Sequence, residues 1–237
     1  MREYLLFTLS GPLQAWGTVA VGEIRPISGR PTRSGVFGLL AACLGIRRDE
    51  ENRLAALHEG YHFAVRVDAP GERFIDYHTV QTPRERAKLV YRTRQDELGR
   101  MLGPDDEPNT ILTRREYLAG SVFTACVWAR EEPPHPLAEL RDALFRPRLT
   151  PYLGRKSCPA DELFRPEIVE AADFAEALAR REAPYRTGIV DAADRDVFSD
   201  ELDGLEKLET FIVRDQVSHH GRRQFSVRPE HRLRAGE

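Results

Sequence analysis

Between Arg30 and Ile46 a loop of arginine and hydroxyl residues runs straight into an apolar helical pattern, Arg30-Pro31-Thr32-Arg33-Ser34-Gly35-Val36-Phe37-Gly38-Leu39-Leu40-Ala41-Ala42-Cys43-Leu44-Gly45-Ile46. Val36, Leu39, Leu40, Cys43 and Leu44 recur at helical spacing, which predicts a helix over about 34–45. Thr32 and Ser34 both suit an N-cap, and Gly45 stands where the helix should stop. A helix amino end carries free backbone N–H groups and a partial positive charge. Arg30, Thr32, Arg33 and Ser34 beside it make a candidate phosphate seat. Gly35 and Gly38 leave room for close approach of another backbone. The alternative is a capped core helix with its arginines left in water.

The surrounding chain is that of a globular protein. Its 237 residues suffice for one large domain or two small ones, and 41% hydrophobic with 31% charged residues is ordinary. No apolar run reaches the length of a membrane span, and the first residues do not make a signal peptide. Cys43, Cys126 and Cys158 are widely spaced and form neither a zinc pattern nor a disulfide framework. A reducing cytoplasm is expected, with no metal and no cofactor. The net charge of −3 argues against a simple nucleic-acid-coating protein. The cations are nonetheless almost all arginine, with only Lys88, Lys156 and Lys207 as lysines. Arginine suits bidentate phosphate contact and base stacking. They are also segregated. Residues 84–100 carry six basic side chains against three acids, 191–209 is acidic, and 214–234 is basic again.

Periodicity predicts a strand at 3–9, a short helix at 50–58 capped by Asp49, and a strand at 62–67. Residues 74–81 are expected to pair antiparallel with that last strand, across a turn at 69–72. Apolar β-prone sequence at 117–128 and a helix from Leu137 to about Arg146 follow. Further expectations are a helix at 167–181, strands at 188–190, 210–214 and 224–228, and a frayed tail from Arg228 onward.

The start Leu9-Ser10-Gly11-Pro12-Leu13-Gln14-Ala15-Trp16-Gly17 and the Pro31–Ile46 segment occur together with three later segments. These are Thr79-Val80-Gln81-Thr82-Pro83, Leu112-Thr113-Arg114-Arg115-Glu116-Tyr117-Leu118 and Pro151-Tyr152-Leu153-Gly154-Arg155-Lys156-Ser157-Cys158-Pro159. In this order the motifs resemble the CasD family of type I-E CRISPR Cascade subunits, over most of the chain. The order of elements to about residue 150 resembles the α+β ferredoxin-like (RNA-recognition-type) fold. The expected organisation is such a domain over 1–150, with a thumb inserted at about 84–112. A smaller β-containing region over 151–237 holds the glycine-rich loop, a helix and a β-hairpin.

The resemblance implies a non-catalytic subunit that binds the 5′ handle of the CRISPR guide RNA. It would cap one end of the antiviral surveillance complex and touch the backbone subunit CasC and the large subunit CasA. No membrane and no small-molecule substrate are implied. Besides the helix mouth, candidate RNA contacts are the thumb cations Arg84, Lys88, Arg92 and Arg94, with Arg86 and Tyr91 among them. Arg114, Arg115 and Tyr117 follow, with alternation placing Arg115 and Tyr117 on one face and Arg114 on the other. The glycine-rich loop offers Tyr152 for stacking, Gly154 for backbone N–H approach, and Arg155, Lys156 and Ser157 for phosphate. His219 and Arg222 complete the set. The alternative is a metal-independent endoribonuclease that processes repeat RNA, with His219 or His220 as base beside Lys156 and Tyr152. In the type I-E branch cleavage belongs to a separate subunit, CasE. Cys158, next to Lys156, is either an activated thiol or a structural cysteine.

Overall fold

The computed structural model describes residues 1–83, 90–98, 108–161, 164–183, 188–222 and 224–234. Strand β1 (Arg2–Ser10) leads through the two-residue strands β2 (Leu13–Gln14) and β3 (Ile24–Arg25) to helices α1 (Arg33–Leu44) and α2 (Glu51–Glu59). Then come β4 (Tyr61–Ala69), β5 (Glu72–Thr82), α3 (Arg94–Leu98), β6 (Asn109–Ala119), β7 (Val122–Ala129) and α4 (Leu137–Phe145). The chain closes with β8 (Glu167–Ala171), α5 (Phe174–Arg180), β9 (Asp196–Ser199), β10 (Lys207–His219) and β11 (Gln224–Arg234). No described helix is long and apolar enough to cross a membrane.

A seven-stranded sheet in the order β10-β11-β9-β4-β7-β1-β8 forms the body. Within it β1, α1, β4, β7, α4 and β8 follow a strand-helix-strand-strand-helix-strand path. Their four strands lie in the spatial order fourth, first, third, second, each antiparallel to its neighbour. The sheet runs across residue 150. β8 extends the edge beside β1, and β9 seats the C-terminal hairpin against β4, so both halves of the chain share one sheet.

Both faces of the central strands β1, β4 and β7 are buried, which fits the nearly continuous apolar runs of β1 and β7 and corrects the half-buried alternation expected at 62–67. Leu5, Phe7, Phe63, Val65, Phe123 and Val127 pack with Val36, Phe37 and Leu40 of α1 and with Leu140 and Leu144 of α4. On the other face Tyr4, Leu6, Cys126 and Trp128 pack with Phe174, Ala177 and Leu178 of α5. The Trp128 ring stacks between Phe174 at 5.1 Å and His62 at 5.2 Å. A single-strand ligand therefore has no open face of β1, β4 or β7 to lie on.

Several local expectations need correction. Strand β5 does not pair with β4 but with β6, from Glu72↔Ala119 to Thr82↔Asn109. β4 is buried on both faces and takes β7 and β9 as neighbours, whereas β5 and most of β6 are exposed and project as an arm. The expected single β segment at 117–128 is two strands turning at Gly120. Asp49 does not cap α2; Glu50 holds that place without a side-chain cap bond. The helix expected at 167–181 is a strand followed by a short helix. Residues 167–171 complete the free edge of β1, and Asp173 starts α5 by accepting from the Glu176 amide at 2.8 Å. The Glu176 carboxylate accepts in return from the Ala172 amide at 2.7 Å.

The strand expected at 188–190 is absent, and Val190 bonds through its amide to the Asp68 carbonyl. The acidic stretch at 191–209 is partly built into the fold. It supplies β9 with Val197 and Phe198 buried, while Asp200 pairs with Arg33 and Asp203 with Arg2. The tail is not frayed as far as Arg234, since β11 inserts between β10 and β9 and buries Arg228, Glu230 and Leu233.

Candidate nucleic-acid interface

Helix α1 begins as its sequence dictates. The Thr32 side chain accepts from the Gly35 amide at 3.3 Å, and Gly45 closes the helix through its amide to the Ala41 and Ala42 carbonyls. The apolar stripe of α1 is buried, which leaves Ser34, Gly35, Gly38 and Ala42 on the outer face. That face floors a cavity of about 820 Å³. Leu54 and His58 of α2 and residues 46–48 form part of its wall. The loop Leu149–Lys156 and the hairpin end with Val217, His220 and Phe225 complete it. The loop is stitched to α1 by the Arg148 amide to the Cys43 carbonyl, 2.9 Å, and the Leu149 amide to the Ala42 carbonyl, 3.1 Å.

Glycine is required at 154. Its φ is +88°, and a Cβ there would overlap the carbonyl of Ala15. The Gly154 amide bonds the Tyr152 carbonyl at 3.0 Å, so this N–H is engaged within the loop instead of aimed at a phosphate. The Ala15 amide donates to the Leu153 carbonyl at 2.9 Å, and Trp16 packs behind the loop with its indole N–H on Gln14 at 2.7 Å. Arg155 points away from the cavity. It donates to the Glu116 and Arg25 carbonyls at 3.1 and 3.2 Å and lies over the Tyr117 ring at 4.9 Å. Tyr152 is half-buried and Lys156 exposed, and both line the cavity. Ser157 is exposed beside Cys158, whose thiol is buried and pushed above its usual pKa by that burial, which keeps it protonated.

The two arginines expected at the helix mouth are engaged inside the protein. Arg33 is buried. Its guanidinium bonds Asp200 at 2.8 Å and the Tyr61 carbonyl at 2.8 Å, and stacks over Phe37 at 4.6 Å. Arg30 bonds Glu230 and lies over the Phe198 ring at 3.8 Å. The amide of Arg33 donates to Asp215 at 2.7 Å, so a carboxylate of β10 occupies the place foreseen for a phosphate. Thr32 and Ser34 remain beside the cavity.

The other candidates separate into three groups. Arg84, Arg86 and Lys88 lie outside the described residues. Arg92 is exposed, and Arg94 pairs with Glu97 at 2.5 Å and bonds the Gln81 carbonyl. On the arm, exposed Arg114 covers the Tyr77 ring at 5.2 Å, Arg115 is half-buried, and Tyr117 is buried under Arg155. At the hairpin end His219 accepts from the Arg222 amide at 3.3 Å, and Arg222 is exposed. It is His220, not His219, that lines the cavity, with its ring 5.2 Å from that of His58. Sequence reasoning missed Arg47, Arg48 and His58. Arg47 and Arg48 are exposed cations on the cavity rim, where their side chains make no ion pair among the described residues. Burial, Arg33 and His220 push the His58 pKa down to about 3, and burial lowers that of His220.

A cleft with a cationic rim and aromatic walls, on an α+β scaffold, is the arrangement expected of a single-strand nucleic-acid binder. The family described as "CRISPR-associated protein (Cas_Cas5)" matches residues 4–231. The chain belongs to this Cas5 family. It is 36% identical over 246 residues to the CRISPR system Cascade subunit CasD of Escherichia coli (strain K12), covering 100% of this chain and 98% of that protein. It superposes on a chain of a CRISPR RNA-guided surveillance complex with a TM-score of 0.69 and 28% identity, covering 98% of this chain and 90% of that one. A Cas protein crystal structure matches in fold, at a TM-score of 0.56 and 24% identity over 98% of this chain and 95% of that one.

Proposed function

We propose that this chain is the subunit of a cytoplasmic CRISPR surveillance complex that holds the 5′ handle of the guide RNA and caps one end of the assembly. The path of β1, α1, β4, β7, α4 and β8 supports reading the core as ferredoxin-like. The observation that carries the reading is the cavity itself. Tyr152, Lys156, Arg47 and Arg48 meet there on the small-residue face of α1. Handle nucleotides are single-stranded, so their bases can splay out and stack while cations take the phosphates. The relative's place in Cascade and the likeness to a surveillance complex support it further. Lys156, Arg47, Arg48 and Arg222 are the proposed phosphate contacts, Tyr152 the stacking side chain, and Thr32, Ser34 and Ser157 polar contacts at the rim. The arm of β5 and β6, with Arg92, Arg94, Arg114 and Arg115, is the base of the thumb, which would bend the strand toward neighbouring subunits such as CasC and CasA.

Repeat-RNA cleavage is the second reading, favoured by one observation: Tyr152, Lys156 and His220 line the same cavity. These residue types can supply an acid, a cation and a base. One experiment separates the two. Labelled repeat RNA and the isolated handle are mixed with the protein without metal, at low and moderate salt. Each sample is assayed for binding and run on a denaturing gel. Salt-sensitive handle binding with intact RNA is the expected result. Site-specific cutting that is lost on His220→Ala establishes the nuclease instead.

A further inference from the structure

The two histidines of the cavity do not suit a phosphate. At neutral pH burial keeps both imidazoles uncharged, with the Arg33 guanidinium next to His58 adding to the effect there. An uncharged imidazole brings no electrostatic pull on a phosphate but offers one N–H donor and one bare nitrogen acceptor. The rings lie 5.2 Å apart at 55°, with His58 also 5.2 Å from the Phe37 ring, so His58 is held between two aromatic neighbours. The Nδ1 of His58 is shut off from solvent and has no hydrogen-bond partner among the described residues. Both rings nonetheless line the cavity, so a ligand held there lies against His58 and His220 together. The surface beside the pair is the small-residue face of α1, where Gly38 has open space above it. A flat ring can lie there. The cations that suit phosphate, Lys156, Arg47 and Arg48, belong to the loops of the cavity and not to this pair.

We propose that His58 and His220 are the base-reading pair of the cavity: one unstacked nucleobase of the bound RNA packs on the α1 face and exchanges hydrogen bonds with the two imidazoles. This rests on the RNA-binding reading above and adds a specificity site to it. Phosphate contacts give affinity to any sequence, whereas base-edge contacts to fixed donors and acceptors discriminate.

The test uses the full chain and short single-stranded RNAs carrying the handle sequence, with an abasic site moved through each position in turn. Binding is followed by fluorescence anisotropy. In the wild type one abasic position should weaken binding by about tenfold. In His220→Ala, and independently in His58→Gln, that penalty should shrink to within about twofold. Lys156→Ala should weaken all the RNAs evenly, lower the salt dependence, and leave the abasic penalty in place. Melting curves identify any variant that fails to fold, and His220→Gln replaces the alanine variant if that one melts early. RNA binding with no penalised position, or with a penalty that both histidine variants retain, overturns the base-reading pair and leaves the RNA-binding reading standing. A wild-type protein that binds none of the RNAs at low salt overturns both.

Discussion

The carboxylate of Asp215 accepts the backbone N–H of Arg33 at 2.7 Å, so the amino end of α1 is filled by the protein's own anion. The same carboxylate receives both arms of Arg228, at 2.7 and 3.0 Å; Arg228 bonds Glu230 at 2.9 Å, and Glu230 holds Arg30. With Arg33 on Asp200, an alternating series of buried charges joins the first turn of α1 to the C-terminal hairpin. These arginines are part of the architecture. The cavity that holds His220 depends on the hairpin they fasten.

Asp215→Ala removes one side of a buried pair and leaves Arg228 partly uncompensated, together with an unsatisfied amide on α1. A loss of about 3 kcal/mol or more in unfolding free energy is expected. Urea denaturation checks it, and a midpoint close to the wild type would refute the role given to this contact.

Arg33 and Lys156 should separate stability from affinity. Arg33→Ala leaves the Asp200 carboxylate buried without its partner and should cost about 3–5 kcal/mol of stability. Lys156→Ala, at an exposed position, should change stability by no more than about 0.5 kcal/mol. It should also reduce the slope of log affinity against log salt by about one. Unfolding curves and salt titrations of RNA binding, run on both variants, give the comparison. A Lys156 variant with an unchanged slope would remove this residue from the phosphate path.

Gly154→Ala places a methyl group against the Ala15 carbonyl at a positive φ. The loop must move, at a cost of about 1–3 kcal/mol. Tyr152 and Lys156 would move with it. Thermal melting should show the destabilisation, and RNA binding should fall more than it does in Lys156→Ala. Wild-type melting and binding together would contradict the packing described for this loop.

The histidines give stability a pH dependence with a definite sign. His58 titrates near 6.5 when unfolded and about 3 when folded. Below about pH 6.5 the unfolded chain takes a proton that the folded one refuses, so this contribution to stability is present above 6.5 and is lost as pH falls. Between pH ~6.5 and ~5 the loss approaches about 2 kcal/mol. His58→Gln should flatten the dependence in that window. Equal slopes for variant and wild type would show that His58 is not held uncharged.

Local signals in the sequence carried much of the framework. Helix α1, with the Thr32 cap and the Gly45 stop, is written in residues that touch each other along the chain. So are α4 and the hairpin of β10 and β11. The Asp173 and Glu176 capping pair is equally local, but the apolar spacing across 167–181 imitates one continuous helix through residues that in fact complete a sheet edge. Strand β5 was legible as a strand but not its partner, since a period of two fixes alternation and says nothing about which edge is free.

The sequence by itself determined the residue types at the site, a glycine-rich loop with tyrosine and lysine and a helix with small residues on one face, because these follow from local backbone and side-chain chemistry. Only the tertiary structure decided which cations remain available. An arginine beside a helix end has the same composition whether it meets a ligand or a carboxylate contributed from far along the chain, and here Asp200, Asp215 and Glu230 take Arg33, Arg228 and Arg30. Arg47, Arg48 and His58 enter the cavity for the same reason, because α2 and the 149–156 loop are brought against α1 by contacts that no local pattern encodes.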